Sequence, residues 1–362
     1  MSTVQALRAE PSLLAWIEKL RPLVQRERLE ADVRALAIPR SRIHWPEGSE
    51  RTAAFIADRL QSAGWVAEQR PFSVTDGCGF FDYPEEGRPS KDHVYQKLDG
   101  VNVVAVKPGI VSGSPLLVGA HYDAARDTPG ADDNGSGIAA LLEVARLLAP
   151  LRLRRSVVLA AFDMEEIGYF GAKAVVDQLL AQNERATAVI LECVGYRSSN
   201  PGSQYLPNGM GLLYPAQVCR VRRRRFAGDW TAVLYRKSSA DAARAVAEAL
   251  ECLTGRDAVV KARDPVDLPI IGPAIRRLVP WIRDFARSDH LPFWEAGLPA
   301  VLVTDTANMR NPNYHLEGDT PDTLDYDRIA AVATAVAAVT GWLGSLPSAP
   351  AGPRRRDDPI TT

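Results

Sequence analysis

The 362-residue sequence is poor in cysteine: Cys78, Cys193, Cys219 and Cys252 stand at irregular spacing, with no C-x-x-C pair. That excludes a disulfide framework and leaves buried or free thiols, with Cys193 next to a candidate ligand. The chain has almost no net charge, 43 Lys and Arg against 44 Asp and Glu, so no overall field directs it to nucleic acid or to a membrane surface. The local exception, Arg220-Val221-Arg222-Arg223-Arg224-Arg225, reads as a solvated basic loop in preference to an anion contact. No stretch reaches the roughly 18 consecutive apolar residues of a membrane span. The first twenty residues lack an uninterrupted apolar segment and carry acids early, so they do not read as a secretory signal and a cytoplasmic location is expected. There is no internal repeat.

What is present is an α/β alternation long enough to bury a substantial core. The first seventy residues read as helices feeding a strand: Ala53 to Leu60 is amphipathic, Gly64 ends it, and Trp65 to Glu68 is extended. The Gly-, Pro- and acid-rich stretch from Thr75 to Asp92 reads as a loop. Strands are expected at Val101–Val106, Pro115–Gly119, Ser156–Phe162, Ala186–Leu191, Asp229–Tyr235 and Pro299–Thr304. Helices are expected after Ser136 (a possible cap), at Gly171–Leu180, at Ala240–Leu253 and at Tyr326–Leu343. This pattern implies a single α/β domain over 1–344, with a central mixed, mostly parallel β-sheet covered by helices on both faces. Residues 1–70 form its helical N-terminal part, and the Pro-, Gly-, Ser- and Arg-rich residues 345–362 read as a disordered tail.

Five polar clusters fall at or near expected strand ends. They are His121-Tyr122-Asp123, Asp132-Asp133-Asn134-Gly135-Ser136-Gly137, Asp163-Met164-Glu165-Glu166, Leu191-Glu192 and Asn313-Tyr314-His315. In open α/β sheets ligands bind outside the carboxyl ends of strands, so groups distant in sequence converge there. Two histidines with several carboxylates and no thiolate suit zinc. A further glutamate beside a ligand is what metal-assisted hydrolysis needs as a base. Each cluster has a plainer reading. Asp-Asn-Gly is ordinary turn chemistry, paired acids are common on surfaces, and a strand-end histidine is often structural. A calcium loop is a poor fit to Asp132–Gly137, because spaced oxygen ligands and a terminal glutamate are missing. Glu192, ending an apolar strand, needs a partner or a cation.

In their order and context the clusters resemble metallopeptidase family twenty-eight, whose members include di-zinc aminopeptidases, with glutaminyl cyclases and glutamate carboxypeptidases as cousins. The resemblance runs from about Asn102 to Leu343. It is carried by GAHYDA, GADDNGSG, AFDMEEIGYFGA and RSDHLPFWEAGLPAVLVTDTANMRNPNYHLEGDTPDTLDY. It implies two zinc ions, one held by His121 and Glu192, the other by Glu166 and His315, with Asp133 shared. It implies Glu165 as general base, Tyr314 stabilising the oxyanion, Asp123 orienting His121, and Asp289 behind the ligands. His290 lies outside the ligand set, and the Asp133–Asn134 bond is expected to be cis. The sequence departs from the commoner pattern at Glu192, where an aspartate is usual.

The function so implied is zinc-dependent exopeptidase action, an aminopeptidase acting on peptides with a free N-terminus. A carboxypeptidase or other amide hydrolase, and a glutaminyl cyclase, are the alternatives. The DNGSG segment is more like the peptidases than the cyclases. The filled ligand and base positions argue against a non-catalytic binding protein. Side-chain preference is expected to come from the segment between Glu192 and Asp289.

Overall fold

The computed structural model describes residues 12–80, 92–111, 113–269 and 272–346. The described strands are β1 (Val66–Phe80), β2 (Asp92–Lys107), β3 (Leu116–His121), β4 (Val157–Phe162), β5 (Thr187–Glu192), β6 (Thr231–Tyr235), β7 (Val259–Arg263) and β8 (Ala300–Thr304). They form one sheet in the order β1-β2-β4-β3-β5-β8-β6-β7. β4, β3, β5 and β8 run parallel in its centre, β6 and β7 are parallel to each other, and the pairings β1–β2, β2–β4 and β8–β6 are antiparallel. The expected mixed, mostly parallel sheet is therefore present.

Why the central strands read as unbroken apolar runs is clear from where their side chains go. In β4, Val157, Leu159 and Ala161 join one core cluster and Val158, Ala160 and Phe162 join another. Successive side chains point to opposite faces, and both faces are covered. Helices Gly137–Leu148, Ala240–Thr254 and Tyr326–Ser345 fill the first side, together with the N-terminal helices Leu13–Leu20, Arg26–Leu36 and Pro46–Ser62. Helices Phe170–Ala181 and His290–Glu295 fill the second. Tyr326–Ser345 is apolar along its length because it is packed inside: Ile329, Val332, Val336 and Val339 are fully buried. Each such residue contributes roughly 1.5–3 kcal/mol through apolar burial.

Three local expectations are corrected. The stretch from Thr75 is not a loop through to Asp92. Thr75–Phe80 continues β1, Asp92 begins β2, and residues 81–91 lie outside the described residues. The glycines there serve close approach: a Cβ on Gly79 would lie 1.9 Å from the carbonyl oxygen of Ile167, and the N–H of Phe80 donates to that same oxygen. The basic run is not a loop either. It begins in the last turn of helix Pro215–Arg223, where Arg220 donates to the carbonyls of Arg256 and Val259 and Arg224 pairs with Asp229. Ser136 does not cap its helix through its side chain. Its hydroxyl donates to the Asp132 carbonyl and accepts from the N–H of Val194, so it ties the turn to the end of β5. Helix Tyr326–Ser345 runs through Ser345, and the remainder of the expected tail, from 347, lies outside the described residues.

Candidate metal centre

The carboxyl ends of β3, β4 and β5 meet where the parallel strands stop. β3 ends in His121, β5 ends in Glu192, and Glu165 and Glu166 follow β4. His121 Nε2 lies 3.2 Å from Glu192 Oε2, 3.3 Å from Asp133 Oδ1 and 3.9 Å from Glu165 Oε2. His315 Nε2 lies 3.1 Å from Asp133 Oδ2 and 3.2 Å from Glu166 Oε2. The two oxygens of Asp133 thus face one histidine each. The longer arm of Glu192 still reaches His121, and it accepts from the Ser288 hydroxyl at 2.7 Å and from the Cys193 thiol at 3.0 Å.

Second contacts hold these groups in place. Asp123 Oδ1 lies 3.3 Å from His121 Nδ1, and the Asp123 carboxylate accepts the backbone N–H groups of Glu165 and Glu166 at 3.1 and 3.2 Å. One aspartate therefore orients a histidine and sets the glutamate pair. Asp319 accepts the N–H groups of Asp132 and Asp133 at 2.9 and 3.0 Å. Asn134 donates to the carbonyl of Leu191 and accepts from the N–H of Cys193, clamping the turn to the end of β5. Gly137 is required beside it, since a Cβ there would lie 2.2 Å from Asn134 Oδ1. The bond between Asp133 and Asn134 is cis, as the motif implied. Met164, Cys193 and His315 all have positive φ, which side-chain-bearing residues rarely adopt. Local backbone comfort yields here to the direction of side chains.

The chemistry of the donors is that of a cation site. His121 Nε2, His315 Nε2, both oxygens of Asp133 and Glu166 Oε1 are buried and make no hydrogen bond among the described residues. Such atoms are costly to leave unpaired. Burial pushes the Glu165 carboxyl well up; His121 opposes this, and Glu192 and Glu166 add to it. Burial raises Asp133 too, but His121 and His315 outweigh it and hold that carboxyl well below the usual range. So many carboxylates around two imidazoles need positive charge to remain ionised together.

The structure brings His121, Asp133, Glu165, Glu166, Glu192 and His315 into one cluster. Tyr314 stacks on His315, with ring centroids 3.9 Å apart. Asp289 is fully buried with neither oxygen hydrogen-bonded among the described residues, and His121 and Glu192 act on its charge. His290 stays outside: its Nε2 donates to the Phe285 carbonyl at 2.7 Å. Sequence reasoning missed the roles of Asp319, Asn134 and Arg40. Arg40 is buried and donates to five backbone carbonyls, of Leu36, Ile38, Tyr122, Pro129 and Gly130, which joins the N-terminal helices to the loop leading to Asp133. The one available signal was that Asn134 and Asp319 lie within segments carrying the family resemblance, whereas Arg40 lies outside them.

Two cavities flank the cluster. An apolar pocket of about 90 Å³ lies beside Glu192 and Cys193, walled by Leu206, Trp230, Leu234 and Phe285 among others. A cleft of about 780 Å³ lies beside Glu165, Glu166 and His315. Much of both walls comes from the segment between Glu192 and Asp289, where specificity was expected.

This fold is that of the aminopeptidases and their relatives. The LapA aminopeptidase of Legionella pneumophila superimposes with a TM-score of 0.64 at 17% identity, covering 95% of this chain and 78% of its own. The glutaminyl cyclase of Porphyromonas gingivalis does so with a TM-score of 0.59 at 16% identity, covering 88% and 98%. At those identities the likeness is one of fold. The chain belongs to peptidase family M28, whose model matches residues 102–216 and 274–340. YfbL of Escherichia coli strain K12, described as an uncharacterized protein, is 37% identical over 314 residues, 80% of this chain and 86% of that one.

Proposed function

We propose that this peptidase is a di-zinc aminopeptidase. His121, Glu192 and Asp133 would hold one ion, and Glu166, His315 and Asp133 the other. Support comes from one observation above the rest: the inward atoms of His121, Asp133 and His315 are buried, close and without hydrogen bonds among the described residues. Nitrogen and carboxylate donors without thiolate match zinc. Zinc so held supplies Lewis-acid polarisation of a carbonyl and lowers the pKa of water from ~15.7 towards ~7.

The protein's own groups do the rest. Glu165 takes a proton from the attacking water and delivers it to the leaving amine. Asp123 keeps Glu165 and Glu166 in register through their backbone N–H groups. Tyr314 borders both cavities and donates its hydroxyl towards the carbonyl oxygen as charge develops there. The substrate's ammonium group is attracted to Glu165 and Glu192. Its first side chain enters the apolar pocket beside Glu192, and the leaving portion lies in the cleft.

The test pairs elemental analysis with an activity screen on leucyl peptides, their N-acetylated forms and N-terminal glutamine peptides. Two zinc ions per active chain and a sharp loss of kcat/KM on acetylation are expected. Equal hydrolysis of acetylated and free peptides would reject the aminopeptidase while leaving a zinc hydrolase standing. Saturation at one zinc with cyclisation of glutamine would favour the cyclase alternative.

A further inference from the structure

The pocket and the cleft share three lining residues, Asp284, Arg287 and Tyr314. These form the partition between the two cavities, and on the aminopeptidase reading the bond to be cut lies beside them. Arg287 is the cation of that partition. Its side chain is 49% exposed, and its ion pair with Asp284 is open at 3.6 Å, too long for a hydrogen bond. Its guanidinium therefore has donors to spare. Arg236, also in the cleft lining, is engaged, bonded to Asp264 at 2.8 Å and laid over the Trp294 ring. Arg276 and Arg283 line the cleft without an ion pair among the described residues. The cleft lining thus combines Glu165 and Glu166 beside His315 with four arginines, of which Arg236 and Arg287 sit by Asp264 and Asp284.

Resting on the aminopeptidase reading, we infer that Arg287 recognises a carboxylate on the residue following the scissile bond, so that the preferred substrates are short or acidic peptides. The planar fork of arginine suits a carboxylate, and a partly closed cleft strengthens the pair. The carboxylate can be the C-terminus of a dipeptide or the side chain of an acidic residue. With the first side chain in the pocket beside Glu192, the residue after the bond lies on the Glu165 and Glu166 side, past the partition. Of the arginines lining the cleft, Arg287 alone also lines the pocket.

The test compares kcat/KM for Leu-Ala, Leu-Ala-amide and Leu-Asp-amide with the wild-type zinc enzyme and with Arg287→Met and Arg287→Lys. The wild type is expected to favour Leu-Ala over Leu-Ala-amide by about tenfold or more, mainly through KM, as one charged hydrogen-bonded contact supplies. In Arg287→Met that ratio falls towards one, and in Arg287→Lys it is intermediate. A preference for Leu-Asp-amide over Leu-Ala-amide that also needs Arg287 assigns the site to acidic side chains as well as to the C-terminus. A wild-type ratio near one overturns the inference, and that measurement needs no variant. So does a large ratio that survives Arg287→Met, or a loss of kcat in Arg287→Met that is equal for the acid and the amide, which would mark a role at the reacting carbonyl. Absence of cleavage of every free-N-terminal peptide would instead reject the aminopeptidase reading itself.

Discussion

Two histidine environments in this chain, the buried His290 and the half-buried His315, differ in what faces the ring. His290 lies edge-on to Trp294, with centroids 4.4 Å apart, and donates to the Phe285 carbonyl; burial pushes its pKa down to about 4. His315 is also pushed down by burial, but Glu166 and Asp133 outweigh this and raise it to about 10. Burial alone therefore does not mark a functional histidine. Carboxylates converging on a ring nitrogen that has no hydrogen bond do, because only a cation reconciles such a group of acceptors. His290 would have been an easy error, since it follows Ser288-Asp289 in a family motif, yet its environment is that of a packed core.

The largest break in this comparison is a pair of substitutions. His121→Ala should lose bound zinc and all measurable activity, whereas His290→Gln should retain the wild-type metal content. Elemental analysis after gel filtration reads both. Equal metal loss in the two variants would erase the distinction drawn from the ring environments.

Glu165→Gln comes next. It removes the proposed proton carrier and leaves the proposed ligands in place, so turnover should fall ~10²–10⁴-fold while zinc is retained. The neighbouring Glu166→Gln should lose metal. If the two variants behave the other way round, the roles within the pair are reversed, even though Glu166 and not Glu165 lies 3.2 Å from His315.

Most of the cluster was legible in the sequence because its members sit in short strings where apolar strands end. His121-x-Asp123, Glu165-Glu166 and Glu192 each terminate a run whose burial on both faces leaves only its end free to carry polar groups. The parallel centre of the sheet was legible for the same reason. What was not legible depends on distant backbone. Asp319 meets the N–H groups of Asp132 and Asp133 across nearly 190 positions, and Arg40 reaches carbonyls about 80 to 90 positions away. Neither leaves a local pattern. The continuation of β1 past Thr75 was hidden because Gly77 and Gly79, needed for close approach to Phe170 and Ile167, look like turn formers. Strand β7 was not foreseen, and Arg287 attracted no notice as one arginine among many; only the two cavities meeting at its side chain single it out.

The smallest effect on turnover should come from His290 through pH, because it acts on stability alone. Its folded pKa of about 4 lies below the ordinary histidine value of 6.5, and the cause is burial. As pH falls below 6.5 the unfolded chain takes up this proton first. The neutral ring's contribution is therefore fully present above pH 6.5 and is lost as pH falls towards 4. Between pH 6.5 and pH 5 that loss is on the order of 2 kcal/mol, at 1.36 kcal/mol per unit. Chemical denaturation of wild type and His290→Gln, both stripped of metal to remove the contribution of the zinc ligands, should show a shallower decline for the variant across this window. Parallel declines would mean that His290 gains its proton as readily when folded as when unfolded. The Phe285 and Trp294 packing would then have to be looser than the structure shows, and the contrast with His315 would rest on the carboxylates alone.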